Sequence, residues 1–541
     1  MPVQQVAQSP PHILTDGLTG KCADFKCQCA SAECISSASS QETLVDISAN
    51  SFERALGDTE LSYFLPSRES GVNDMYLHLG CRAPTRLVNR ERVRLVWTIL
   101  RLRHPLLAST VKMHNYDDVR FVYMAPRSVE HAMDLADLNL EYRAQDKDEL
   151  IDSYLNGPRT LSNDRLSYLV VSSTSLSAPD PTETIDNYDF LICATHFLGD
   201  GMALHQFAND FFGLLGSSSA MSDLAMLLSK EWHSRCAKAD DPAIALPISL
   251  EDRLPPGGSK LRQLIGRVDF ERSQDKLIGG HTFLRKSGAP RRTIVPTVSI
   301  DAERTKKILK NCKARGVSIS SALFALCNIA WVKGCGRRAE MPTMMYSALN
   351  LRPYIMANEA LNDSYWYLAI GYFNVILPGF LPRSCDTSTI FWHRARSAKI
   401  QSTDAAKNPM IVSRSREMAR ERGARARAWA KEDDDKVNGV WRAPAVLPEK
   451  PSERPPSNAL IGLSLLGNLD GIYKHSSFSD IQLHTLTTGS RQRSGGMLLF
   501  GYTFVGKLWL SLGYDENGFD KETVEKFWRT VLSCTDEYLI D

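Results

Sequence analysis

No stretch of these 541 residues approaches the roughly 18 consecutive apolar positions that a membrane-spanning helix needs, so no spanning segment is expected. The first residues, MPVQQVAQSPPHILTDG, lack the apolar core of a secretion signal. An excess of one charge is also missing. With 64 Lys and Arg against 62 Asp and Glu, the formal net charge is +2, which argues against a global field for nucleic acid or membrane. The 12 cysteines form no disulfide framework, and Cys193 and Cys327 sit inside apolar runs as small buried hydrophobes. Cys22, Cys27, Cys29 and Cys34 lie close together but lack the C-x2-4-C pairs of a zinc site. Their surroundings, SAECISSASSQET, are polar and of low complexity, as in a disordered tail. These absences together describe a soluble protein of the reducing cytoplasm with no metal, nucleic acid or membrane partner.

What is present is an ordinary globular composition, 43% hydrophobic and 23% charged, in a chain too long for a single core. Residues 1–48 read as a disordered extension and 49–255 as a first domain. A Pro/Gly/polar stretch, DRLPPGGSKLRQLIG from Asp252 to Gly266, opens an extended crossover over 256–290, and a second domain covers 291–541. In the first domain a helix is expected over Val88 to His104, stopped by Pro105, with strands at Phe121–Pro126 and Arg165–Ser173. In the second, a strand over Thr293–Ile300 leads to Asp301 as a helix cap. That helix stops at Gly316, and Ser318 or Ser320 caps an apolar helix from about Ser321 to Val332.

The most informative run is YDFLICATHFLGDG, Tyr188 to Gly201. Phe190, Leu191, Ile192 and Cys193 make its start a buried strand, and His196 stands at the strand's end. Gly199 and Gly201 flank Asp200 and permit a sharp turn, after which MALHQFANDFFGLLG reads as a helix. Imidazole is neutral near pH 7 and can take a proton from a hydroxyl or amine, so His196 is a candidate general base.

H-x-x-x-D-G at a strand end resembles the signature of the acyltransferase superfamily related to chloramphenicol acetyltransferase. Three other segments are similar to that superfamily in the same order: Arg103-His104-Pro105-Leu106-Leu107 at a helix end, the strand–helix–GVSISSA–helix pattern after Thr293, and Asn350-Leu351-Arg352-Pro353 followed by Gly371-Tyr372-Phe373-Asn374. Together they span residues 52–380. The segment SLLGNLDGIY, Ser464 to Tyr473, resembles the S-x-x-G-x-x-D element of fungal members. The D-F-G-W-G motif of plant members is absent, and Thr195 stands where condensation domains double the histidine. Gly462-Leu463-Ser464-Leu465-Leu466-Gly467 is not a G-x-S-x-G nucleophile elbow, because its second glycine falls one residue late. The layout is most like fungal trichothecene 15-O-acetyltransferases.

The resemblance implies an α/β fold of two similar chloramphenicol acetyltransferase-like domains, each a mixed β-sheet with flanking helices, with an active-site channel at their interface. His196 would be the catalytic base. Asp200, Gly201 and Arg352 would support it, Asp200 pairing with Arg352; the alternative for Arg352 is a surface arginine at a strand end. The implied reaction moves an acetyl group from acetyl-CoA, a co-substrate rather than a bound cofactor, to a hydroxyl of a small fungal metabolite such as a trichothecene-like sesquiterpenoid. Transfer of a longer acyl group or transfer to an amine are the enzymatic alternatives, and an inactive ligand-binding relative is the other. A monomer is expected. His104 reads as structural. The basic run Arg414 to Arg427 reads as a solvated helix or mobile loop, with contact to CoA phosphates as a lesser reading.

Overall fold

Apolar runs that are covered on both faces dominate the first half of the chain, and they become the strands of one sheet. β1 (Ser51–Ala55) and α1 (Asp58–Ser67) come first, then β2 (Met75–Pro84) and α2 (Arg90–Arg103). β3 (Thr110–Met113) and β4 (Val119–Met124) pair antiparallel, and β1 adds to β4. Next are α3 (Val129–Asp137), β5 (Leu140–Arg143), α4 (Lys147–Asn156), β6 (Ser167–Ser172) and β7 (Ile185–Ala194), followed by α5 (Gly201–Leu215) and α6 (Met221–Arg235). The computed structural model describes residues 51–173, 185–236, 246–335, 339–356, 363–442 and 455–540. The expected tail with its four cysteines lies outside the described residues.

α2 starts where the Asn89 side chain accepts from the Arg92 amide, and ends at Arg103, one residue short of expectation, because Pro105 cannot continue it. In β7, Phe190 to Ala194 are all buried, which explains the unbroken apolar run.

The second half contains α7 (Lys260–Asp275), β8 (Thr293–Ile294), β9 (Thr297–Ile300), α8 (Ala302–Ala314) and α9 (Ile319–Gly334). β10 (Thr343–Asn350), β11 (Ile370–Leu377), α10 (Thr387–Ala406) and α11 (Ile411–Val437) follow. The chain then forms β12 (Ala459–Asn468), β13 (Gln482–Ser490), β14 (Met497–Phe504), β15 (Lys507–Asp515) and α12 (Lys521–Thr535). The expected strand over 293–300 is split at Pro296, which has no N–H to give the ladder. Asp301 caps α8 by accepting from the Arg304 amide, and of the two candidate serines Ser318 caps α9. The crossover over 256–290 is not extended throughout, since α7 occupies its centre.

Both main sheets are mixed. The first has the order β13-β2-β7-β6-β5, with β5 and β6 parallel and the other pairs antiparallel. The second runs β11-β10-β12-β14-β15-β8, with β9 also on β15, and β12 parallel to both its neighbours. β13 comes from the second half of the chain yet pairs with β2, so the two halves share a sheet. Trp366 and Leu368 likewise leave the second half to join the core of the first. No single helix among the described residues is long and apolar enough to cross a membrane.

α11 carries the basic run and is neither a fully solvated helix nor a loop. It packs on α1 through a stripe of small residues, with Ala419, Gly423, Ala426 and Ala430 buried. Arg427 pairs with Asp58 at 2.9 Å and Asp117 at 3.0 Å, while Asp434 takes Arg68 and the Tyr116 hydroxyl. At its start Arg414 reaches Asp269 of α7 at 2.9 Å. A Cβ on Gly423 would lie 2.4 Å from Asp58 Oδ1 and 2.9 Å from Asp58 Cβ. Helix propensity alone favours Gly423→Ala by up to about 1 kcal/mol, whereas overpacking costs about 1–3 kcal/mol. Packing should win, so Gly423→Ala is expected to lower the thermal unfolding midpoint; a rise would mean that the α1–α11 contact yields.

Candidate active site

β7 ends at Ala194, and the Thr195 amide still bonds back to Leu166 O at 2.9 Å, which fixes the point where the chain leaves the sheet. His196 opens a single 3-10 turn, and Asp200 then caps α5 by accepting from the Met202 amide at 3.0 Å and the Ala203 amide at 3.1 Å. The imidazole is half-buried. Its Nδ1 lies 3.1 Å from Gly199 O, which can only accept, so Nδ1 carries the proton and Nε2 keeps its lone pair. Burial is the main force holding the imidazole below its ordinary value of 6.5; Asp200 opposes it and Arg422 reinforces it.

The glycines of the turn serve space rather than backbone freedom. Gly199 has φ −178°, extended backbone open to any residue, but a Cβ there would lie 2.8 Å from Trp366 Cε3. Gly201 begins α5, and a Cβ there would lie 3.0 Å from Leu466 Cδ2 of β12.

Asp200 and Arg352, separated by 152 residues, are brought together. One guanidinium nitrogen of Arg352 donates to both carboxylate oxygens at 2.8 and 2.7 Å, and the Ala369 amide adds a third direction at 3.0 Å. The other terminal nitrogen donates to Tyr365 O and Tyr367 O at 3.2 Å each. Asp200 is 3% exposed, so a charge there needs this complement of donors. His104 sits behind the turn, buried, with Nδ1 2.9 Å from Ser364 Oγ; burial drives its pKa to about 3, and it is a packing residue. Ser464 lies within β12. Asp470, from the same segment, accepts from the Val505 and Gly506 amides at 2.7 and 3.0 Å and so clamps the β14–β15 turn.

The groups around His196 were not foreseen from the sequence. Tyr63 of α1 stacks on the His196 ring with centroids 4.3 Å apart, and its hydroxyl meets that of Tyr372 on β11. Burial, then Tyr372, pushes the Tyr63 phenol well up, so it stays protonated. Arg422 of α11 lies over both rings, 4.5 Å from the Tyr372 centroid and 5.5 Å from that of Tyr63. Tyr346 of β10 meets the Tyr372 ring edge-on at 6.4 Å, and Gly462 makes room for it, since a Cβ there would lie 2.4 Å from the Tyr346 ring. The stripe of small residues in α11 was the available signal, because a charged helix with such a stripe must press closely on something. Among the described residues no group of His, Cys, Asp and Glu converges as metal ligands.

This arrangement, a histidine at a strand end where two mixed α/β lobes meet, has the two-lobed fold of chloramphenicol acetyltransferase-like enzymes and condensation domains. The similar solved structures include the TRI3 trichothecene 15-O-acetyltransferase of Fusarium sporotrichioides, with a TM-score of 0.70 and 15% identity, covering 91% of this chain and 95% of that one. The first condensation domain of the CDA synthetase matches with a TM-score of 0.56 and 10% identity over 90% of this chain and 96% of that one. The epimerization domain of the third module of tyrocidine synthetase B matches with 0.55 and 12% over the same shares. No protein-family model matches the sequence, and no curated protein matches it.

Arg352→Ala would leave the Asp200 carboxylate buried with backbone donors alone. Breaking a buried pair costs about 3–5 kcal/mol, and the residual exposure of Arg352 puts the expectation at about 3 kcal/mol in denaturant unfolding. A loss under about 1 kcal/mol, the size of an exposed pair, would show that the link does not hold the turn.

Proposed function

We propose that this protein is a CoA-dependent acyltransferase in which His196 is the general base. The observation that carries the reading is the tautomer lock: Nδ1 is committed to Gly199 O, leaving Nε2 as an acceptor in a half-buried site at the meeting of the lobes. Nε2 takes the proton of an acceptor hydroxyl as its oxygen attacks the thioester carbonyl. Collapse of the tetrahedral intermediate breaks the carbon–sulfur bond, and the imidazolium returns the proton to the departing thiolate. Asp200 and Arg352 act only through the turn that presents His196.

The finer reading is O-acetylation, by acetyl-CoA, of a hydroxyl on a fungal secondary metabolite, a trichothecene-like sesquiterpenoid. The likeness in fold to TRI3 over nearly the whole of both chains supports it. So do the aromatic surroundings of the base, where Tyr63 stacks on the imidazole and Tyr372 and Tyr346 continue the wall. The chain is read as acting alone on two small substrates.

Thiol release from acetyl-CoA with a panel of terpenoid and polyketide alcohols tests the reading. Acceptor-dependent release should fall by about 10² to 10⁴ in His196→Ala, the usual contribution of a general base. Equal release in wild type and variant would remove His196 from the mechanism. The base must be neutral to work, and its pKa is held below 6.5. Activity should therefore persist as pH falls through 6.5 and disappear only further down. An acid limb of kcat/KM at or above 6.5 would contradict that environment.

A further inference from the structure

Several arginines are neutralised by a carboxylate, as Arg352 is by Asp200, Arg414 by Asp269 and Arg427 by Asp58. Arg422, Arg285 and Arg493 differ from these. Arg422 has, among the described residues, one distant contact to Ser62 Oγ at 3.4 Å and the two tyrosine faces, and its Nε is buried without a partner. Arg285 and Arg493 are exposed and make no ion pair among the described residues. All three act on the phenol of Tyr346, which is 36% exposed. Two glycines leave room beside the outer two: the Cβ that Gly495 lacks would lie 3.1 Å from Arg285 Cδ, and the one that Gly496 lacks 3.1 Å from Arg493 Cγ.

From His196 the cluster leads outward. Tyr63 touches the imidazole, Tyr372 touches Tyr63, Arg422 covers both, Tyr346 meets Tyr372 edge-on, and Tyr346 lies within electrostatic reach of the exposed Arg285 and Arg493. Glu421, a carboxylate in electrostatic contact with Arg422, also pairs with Arg425 at 3.3 Å. Like charges gathered with so little acid repel one another. Arg285, though its residue is largely exposed, is held below its ordinary value by partial desolvation of its guanidinium and then by Arg493; burial lowers Arg425, with Arg422 and Arg493 adding to it against Glu421. An incoming anion relieves that repulsion and supplies the acceptors that the guanidinium forks lack.

We propose that Arg285, Arg422 and Arg493 form an anion-binding site in the wall leading to His196, taking a phosphate or carboxylate group of a substrate. The site rests on the acyltransferase reading for its role but not for its existence. The anion has two possible sources, the phosphates of a CoA-type donor or an acidic group on the acceptor.

Isothermal titration of the full-length protein with CoA, adenosine 3′,5′-bisphosphate and pantetheine separates them, in wild type, Arg422→Gln and Arg285→Gln/Arg493→Gln. If the donor is the source, CoA and the bisphosphate bind about tenfold or more weakly in the variants, the scale of a lost charge-assisted hydrogen bond, and pantetheine is unchanged. Arg422→Lys should then recover part of the loss. If the acceptor is the source, phosphate probes bind the variants as they bind wild type, while KM rises for carboxylate-bearing acceptors and not for neutral ones. Equal affinities and KM values across all variants overturn the proposal, as does failure of wild type to bind any anionic probe together with indifference to acceptor charge. A wild type that binds the bisphosphate but releases no thiol would sink the acyltransferase reading and leave the anion site standing.

Discussion

The Asp200 carboxylate is the point on which the site depends. It closes the first turn of α5, receives Arg352 from the end of β10, and takes the Ala369 amide just before β11. A charge this deeply buried is tolerable only with a full set of donors, and here the donors come from both halves of the chain. The carboxylate therefore ties the strand end that carries His196 to the opposite lobe. The segment between Ser364 and Ala369 completes the tie, since it meets His104, Asp210, Arg352 and Asp200 in succession.

Position and protonation of His196 follow from that tie. With α5 anchored at Asp200, the Gly199 carbonyl is held within reach of His196 Nδ1. Trp366, placed by the same segment, occupies the volume where any larger residue at 199 would put its Cβ. A requirement for glycine thus arises from the second half of the chain pressing on the first. Local turn geometry would not reveal it, because neither Gly199 nor Gly201 has a positive φ.

The local elements around His196 were legible because each has a local cause. An unbroken apolar run makes β7, a capping aspartate starts α5, and Pro105 ends α2. The joining of Asp200 to Arg352 was foreseen by resemblance and could not have come from either segment alone. What stayed hidden is non-local. β13 leaves its own half to pair with β2, α7 forms within a Pro- and Gly-marked crossover, and Tyr63, Tyr372 and Arg422 meet from three elements far apart in sequence. Charge density misled most at α11: counting arginines treats them as equivalent, whereas helix phase separates Arg427, spent on Asp58, from Arg422, turned to the tyrosines.

That a backbone carbonyl and not a carboxylate holds Nδ1 has a chemical consequence. A carboxylate in hydrogen-bond contact would stabilise the imidazolium and raise the pKa of His196. Gly199 O orients the ring with a weaker preference for the charged form, and the carboxylate of Asp200 faces Arg352 instead of the imidazole. Stacking on the neutral Tyr63 phenol excludes water from one face without adding charge. An imidazole held this way stays neutral near pH 7, with Nε2 open as an acceptor. In the proposed reaction, that suits a group that takes a proton from one substrate and hands it on to the leaving group of another.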